Sequence, residues 1–493
     1  VNMGVLTGQL TWPGGGGLWD PASIKDCPSG HGTGVASTLA GNDNPTGGTS
    51  PNDGNAVLAQ IYFQDLGGLP VGSQCPATGE ELIYLPENYD NLFGPPGLVY
   101  NDPAAPVRVH RNSWGADTNV YDVQARMVDA FVWAHPDMTI VFAAGNCVSL
   151  GCPLVGSLGT PTTAKSIVTV GGAGNPDTAG SGNQNDLAGQ SGRGPTSDGR
   201  IKPTIVTIFD GDSAMSDGNP SSGGGFADAH WSGTSYSTPA AAAAAAIVRQ
   251  YFVDGWYPAG RPVAANSISP SAALIRAMLI ASGQQVTRSG TVSRSPTDTW
   301  PNNEQGFGRV LLSGVLPIAS AGDTFRTQVI DESGGLLTGD AVMHTFHVAT
   351  AGSVKFVLTW NDFPGTLGSS RALVNDLDLE VTGPDGTRYR GNHFAPFAQG
   401  QSLPGGTFDT RNVEEAVILR SAMAGDWTVR VIGSDVPVGP QPFALVTTGS
   451  VDGSYGRVLL DRVVYSERST INITVEDSSA TSAVVHVDSG LES

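Results

Sequence analysis

The stretch Gly233-Thr234-Ser235-Tyr236-Ser237-Thr238-Pro239, running into alanines from Ala240 to Ala246, constrains the fold more than any other part of the chain. Alanine combines the best helix propensity with a minimal side chain, so the run predicts a buried helix in close contact with a sheet. The helix is expected to begin at or beside Ser235, with Pro239 in its first turn, where a missing N–H costs nothing. Ser235 then stands among unpaired N–H groups at the positive end of the helix dipole, a setting that favours an adjacent negative charge. Alone, the segment is also an ordinary Ser/Thr helix cap. It is not a Gly-x-Ser-x-Gly elbow, because Ser237 stands where that turn needs glycine.

Two further segments narrow the reading. Ser29-Gly30-His31-Gly32-Thr33-Gly34 sets a histidine between glycines, ahead of a short apolar helix (Val35, Ala36, Leu39, Ala40). The glycines leave room for a backbone to approach the imidazole. Thr139 to Ala143 reads as a buried strand that stops at Ala144-Gly145 and presents the Asn146 amide, a neutral donor at a strand end. Singly, each has a plain structural reading, a satisfied histidine or a strand-to-turn exit. In the order His31, Asn146, Ser235 they resemble the His-Gly-Thr, Ala-Gly-Asn and Gly-Thr-Ser-x-x-x-Pro motifs of the subtilisin-like serine proteases.

That resemblance implies a serine endopeptidase working through an acyl-enzyme. Ser235 is the nucleophile, His31 the general base, and Asn146 with the Ser235 N–H the oxyanion donors. It also implies that Arg111-Asn112-Ser113-Trp114-Gly115 leads into a substrate-binding strip. Ser113, Trp114 and Gly115 form one wall of the primary pocket, with Ala144 and Gly145 opposite, and an extended peptide binds by strand addition. The plain alternative for the strip is a buried strand.

The family's third member, a carboxylate in an Asp-Thr/Ser-Gly motif, has no counterpart ahead of His31. Asp20 follows Gly14 to Gly17, Leu18 and Trp19 in a loop, and Asp26 is too close to His31 to come from a separate strand. The expectation is a triad aspartate upstream of Val1. The alternatives are replacement by Asp20, or an inactive pseudo-protease serving as an extracellular binding scaffold.

Composition sets the partners. A net charge of −20 with no Lys/Arg cluster argues against nucleic acid or an anionic membrane, and fits cation binding and a secreted protein. Protein or peptide substrates and a monomer are expected. No stretch is apolar for long enough to span a bilayer, since the alanine run ends at Ile247-Val248-Arg249. The four cysteines, Cys27, Cys75, Cys147 and Cys152, allow three pairings. They read as disulfides of an oxidising compartment, with Cys147 and Cys152 closing a tight loop and Cys27 with Cys75 bracing the segments around His31.

Along the chain, residues 1–320 read as α/β. Strand candidates (Ala56 to Phe63, Val107 to His110, Thr139 to Ala143, Ser166 to Val170) alternate with helical stretches (Tyr121 to Trp133, Ser235 to Phe252, Ser271 to Ser282), which implies a parallel sheet sandwiched by helices. Gln190 to Pro203 resembles the family's segment before the nucleophile, but Thr204 to Gly211 departs from it. Asn303 to Val310 matches the end of the peptidase domain. Residues 321–449 switch to short, turn-bounded strands, an antiparallel sandwich or jelly roll. Leu373 to Leu379 and Val436 to Gln441 make it similar to the C-terminal β-barrel of oxidatively robust alkaline subtilisin-like proteases, and more distantly to the P-domain of proprotein convertases. Residues 450–493 read as a tail or the first hairpin of a truncated domain. Asp376 and Asp378 share a strand face. With Asp362 and Glu414 they are the expected oxygen ligands of a structural Ca²⁺; a solvated acidic sheet edge is the alternative.

Overall fold

The computed structural model describes residues 3–4, 31–42, 53–62, 67–68, 82–83, 85, 87–94, 100, 106–147, 155–175, 183–216, 226–286, 288–289, 300–321, 326–395, 400–460 and 473–477. Asp20, Asp26, Cys27, Cys75, Cys152 and the Val485 and Val487 region lie outside them.

The strands Val109–Asn112, Thr139–Ala143, Val168–Ala173 and Ile205–Ile208 pair in parallel, in that spatial order. Asp186–Leu187 returns antiparallel on Val168–Ala173, so the sheet is mixed. Alternation along the second strand divides two cores. Ile140 and Phe142 meet Val128, Phe131 and Val132 of the helix Val123–Ala134 on one face. Val141 meets the alanine-rich helix Thr234–Val253 and the helix Ala272–Ser282 on the other. Of the expected Ala56 to Phe63 strand, Ala56 to Leu58 form a turn and Ile61–Tyr62 is extended, because Asn55 and Ala56 bond back to the helix His31–Ala40.

The C-terminal part is a two-sheet antiparallel sandwich. One sheet runs Arg326–Leu336, Gln441–Gly449, Gly352–Thr359, Glu414–Ala422. The other runs Ser402–Pro404, Arg388–Phe394, Asp376–Thr382, Gly425–Asp435, Ala341–Val348, Val451–Leu460, Ile473–Asp477. Phe346, Phe356, Trp360, Trp427 and Leu445 fill the space between them. The expected break at 449/450 therefore falls inside the sandwich. Val451–Leu460 pairs along Ala341–Val348 and carries Ile473–Asp477 on its outer edge, so these strands of the expected tail belong to the sandwich sheet.

The two domains share one core. All residues of Ala272–Ser282 are buried, with Val141, Val168 and the alanine helix on one side and Val329, Val357, Ala444 and Val446 of the sandwich on the other. Thr359 Oγ1 donates to the Ala273 carbonyl (2.7 Å), and Lys355 Nζ donates to the Ala281 and Gly283 carbonyls (2.8 and 2.6 Å), capping the helix C-terminus from the sandwich. Lys165 of the peptidase domain spends its three donors on Asp362 Oδ2 (2.5 Å), the Phe363 carbonyl (2.6 Å) and the Ala372 carbonyl (2.9 Å). Neither side chain of the Lys165–Asp362 pair is exposed.

Removing one partner of a fully buried pair leaves an uncompensated charge. Lys165→Met is expected to destabilise both domains together by about 3–5 kcal/mol, read as one shift of the unfolding midpoint. A loss below about 1 kcal/mol, typical of an exposed pair, would contradict this.

Candidate active site

Ser235 is the second residue of its helix, after Gly233 at φ 143°, a backbone geometry that favours glycine. A Cβ at position 233 would also sit 3.1 Å from Asn146 Nδ2. Asn146 follows Gly145 (φ 99°) off the end of Thr139–Ala143. Its Oδ1 accepts from Thr234 N (2.7 Å) and Thr234 Oγ1 (2.9 Å). A backbone N–H can only donate, so the oxygen end is fixed and Nδ2 is left as the outward donor. The Ser235 N–H has no acceptor among the described residues. The Asn146 amide is thus tied to Thr234, the residue before Ser235, and its Nδ2 and the Ser235 N–H are donors of the kind an oxyanion requires.

Pro239 stands in the second turn, not the first as expected. Its missing N–H would have bonded the Ser235 carbonyl. Ser113 Oγ takes that place at 3.2 Å, so the Ser113 hydroxyl anchors the Ser235 backbone. Thr207 Oγ1 holds the Ser237 carbonyl in the same turn (2.7 Å). The first expected pocket wall lies against Thr160: Ala116 bridges it, and a Cβ on Gly115 would crowd the Thr160 carbonyl at 2.9 Å. Gly192 N donates to the Gly145 carbonyl (2.8 Å), and Ala144 is buried. The Trp114 indole packs edge-on against Phe142 and Tyr89, so its side chain belongs to the core.

His31 begins the helix His31–Ala40, which packs on the serine's helix. It keeps an edge open to solvent, yet enough protein surrounds the ring that burial, followed by the nearby Arg111 guanidinium, lowers its pKa to about 4. Arg111 is itself lowered to about 10 by burial. The contacts of Thr234, Thr207, Arg111, Trp231 and Tyr236 are not legible in the sequence. Only Pro239, four residues past Ser235, signalled that an outside donor is needed.

The expected calcium ligands do not converge. Asp362 is saturated by Lys165, Val374 N and Asn375 N. Glu414 faces Lys202 Nζ (3.5 Å) and Arg276 Nε (3.6 Å) across the domain interface. Buried cations, not a metal, neutralise these two, which corrects the four-ligand set. Asp376 and Asp378 remain together. One oxygen of Asp376 accepts from Arg371 (2.8 Å) and one of Asp378 from Ser434; both Oδ1 atoms are buried without a hydrogen-bond partner. Burial, then its neighbour Asp378, raises Asp376 to about 7; burial, with Asp409 adding, raises Asp378 to about 6. Among the described residues no three His, Cys, Asp or Glu are arranged to hold a metal.

A serine at a helix start, an amide donor tied to the residue before it and a histidine on the adjoining helix are the groups that acyl transfer uses. The Subtilase family model matches residues 17–308, more than half of the chain, and the chain belongs to that family of serine peptidases. It is 28% identical over 86% of its length to the serine protease/ABC transporter B family protein tagD of Dictyostelium discoideum, and 27% identical over 86% to tagB of the same organism. It spans only 29% and 27% of those two proteins. Among solved structures, an Aeromonas sobria serine protease in complex with its chaperone is 16% identical, covering 93% of this chain and 79% of that one with a TM-score of 0.38.

Arg111 disfavours the imidazolium, so its removal raises the His31 pKa. The acid limb of the kcat/KM profile of Arg111→Gln is expected at higher pH than in the parent. A limb that stays in place or moves down would show that Arg111 does not act on His31.

Proposed function

We propose that this chain carries the catalytic part of a secreted serine endopeptidase that cleaves extended peptides through an acyl-enzyme on Ser235. The observation that supports this best is the commitment of Asn146 Oδ1 to Thr234, which frees Nδ2 beside the unpaired Ser235 N–H. In this reading a peptide lies along Ser113 to Gly115 and Ala144–Gly145, His31 takes the Ser235 proton, and the two donors hold the developing oxyanion. His31 then returns the proton to the leaving amine. The third triad member is a carboxylate outside the described residues, which orients the imidazole. Residues 321–449 keep their likeness to the β-barrel of alkaline subtilisin-like proteases within this proposal. Cys147 carries a disulfide bond, which supports an oxidising compartment.

Ser235→Ala is expected to abolish cleavage of an unstructured protein substrate and labelling by a fluorophosphonate, with the unfolding midpoint unchanged. Loss of Asn146 as a donor in Asn146→Ala is expected to cost about 2.7–4 kcal/mol of transition-state stabilisation. Wild-type protein that neither cleaves nor labels would instead favour a binding scaffold.

Ca²⁺ remains part of the proposal for Asp376 and Asp378 alone, whose orphaned Oδ1 atoms fit a hard cation. Carboxyls with raised folded pKa values hold protons that the unfolded chain releases, so without a cation stability falls as pH rises from about 4 to 7. Calcium is therefore expected to raise the unfolding midpoint at pH 7.5, and less at pH 5. An identical melt in calcium and in excess chelator at pH 7.5 would remove the cation from the account.

A further inference from the structure

The segment that departs from the family pattern, Thr204 to Gly211, leads into a two-stranded ribbon that ends at the nucleophile. After Ile205–Ile208, the Phe209 ring occupies the space a side chain on Gly172 would need, 2.1 Å from its Cβ position. The chain then runs out along Asp210–Ser216 and back along Phe226–Ser232, with Gly211 opposite Trp231 and Asp212 opposite His230. The ribbon packs on the helix that His31 begins.

Successive side chains point to opposite faces of a strand. His230 points outward, its Nδ1 3.2 Å from Asp212 Oδ1. Trp231 points inward, and its Nε1 donates to Ser213 Oγ at 2.6 Å, which fixes the indole's rotation. The indole meets the His31 ring edge-on, with centroids 5.7 Å apart and planes at 74°. On its other side it meets Tyr236 at 5.2 Å and 65°. Tyr236 follows Ser235, and its hydroxyl lies 2.3 Å from where a Cβ on Gly211 would be. The phenol also lies beside Thr38 of the histidine's helix. One tryptophan thus joins the ring of the general base to the residue next to the nucleophile.

We infer that Trp231 is a positioning residue: its indole, locked by Ser213, holds the His31 imidazole in register with Ser235. The inference rests on the peptidase reading. Trp231 acts through His31 and takes no part in bond making.

The test compares Trp231→Ala, Trp231→Phe and Ser213→Ala in the full chain. Kinetics are read on a chromogenic peptide substrate, and the ring-proton resonances of His31 are read in histidine-labelled protein. Because small misplacements of a catalytic group are costly, Trp231→Ala is expected to lower kcat about 10- to 100-fold while KM stays within about threefold. Trp231→Phe, which retains a ring, recovers most of kcat, and Ser213→Ala lies between. In the spectra, His31 carries a ring-current shift that Trp231→Ala abolishes and Ser235→Ala preserves. A kcat for Trp231→Ala within about twofold of the parent, or equal losses for the Ala and Phe variants, would overturn the inference. Should Trp231→Ala fail to fold, an unchanged kcat in Ser213→Ala overturns it equally. The shift needs no turnover. A shifted His31 in a protein without peptidase activity refutes the peptidase reading and upholds the contact, whereas an unshifted His31 refutes the contact.

Discussion

The helix Ala272–Ser282 is buried on every side, and the rest of the structure depends on that. A helix apolar on every face but for Arg276, whose guanidinium is held by the Ser166 and Trp360 carbonyls, Asn361 and Glu414, needs partners all round. The peptidase sheet and the alanine helix cover one side, and the sandwich covers the other. Its ends are held by side chains as well as by packing. Ser271, which caps the N-terminus, is fixed by Asp331 of the sandwich, and the C-terminal carbonyls take Lys355. The alanine helix that rests on it carries Ser235 at its start. The position of Ser235 is therefore coupled, through two layers of packing, to the sandwich domain.

Within the site, small residues and missing hydrogen bonds do most of the positioning. Gly233 lets the Asn146 amide approach the helix start, and Gly145 lets the strand turn toward it. Pro239 removes the one N–H that would have tied the Ser235 carbonyl into its own helix, and Ser113, just past the strand Val109–Asn112, replaces it. Ser235 is thus held by a different part of the chain, so sheet and helix cannot shift independently without breaking a half-buried hydrogen bond.

Much of this was legible in the sequence because it is local. The three long helices, the Thr139–Ala143 strand and the residues His31, Asn146 and Ser235 follow from periodicity and short motifs. What was missed depends on distant partners. Asp362 and Glu414 read as hard ligands because nothing near them in sequence reveals that Lys165, Lys202 and Arg276 arrive from the other domain. The Ser113 side chain looked like part of a substrate wall until Pro239 was placed one turn deeper. Ala341–Val348 and Val451–Leu460 escaped notice as partners because their pairing closes over the whole sandwich. Trp231 gave no sign, since its neighbours His31 and Ser213 meet it only through the ribbon's register.

Hydrogen exchange read by mass spectrometry tests the shared core most directly. If one core serves both domains, peptides from Ala272–Ser282, from the alanine helix and from Gly352–Thr359 exchange through a single common opening, with equal free energy and the same dependence on denaturant. A sandwich that opens at lower denaturant while Ala272–Ser282 and the start of the alanine helix stay protected would contradict the account, because the peptidase core would then stand on its own.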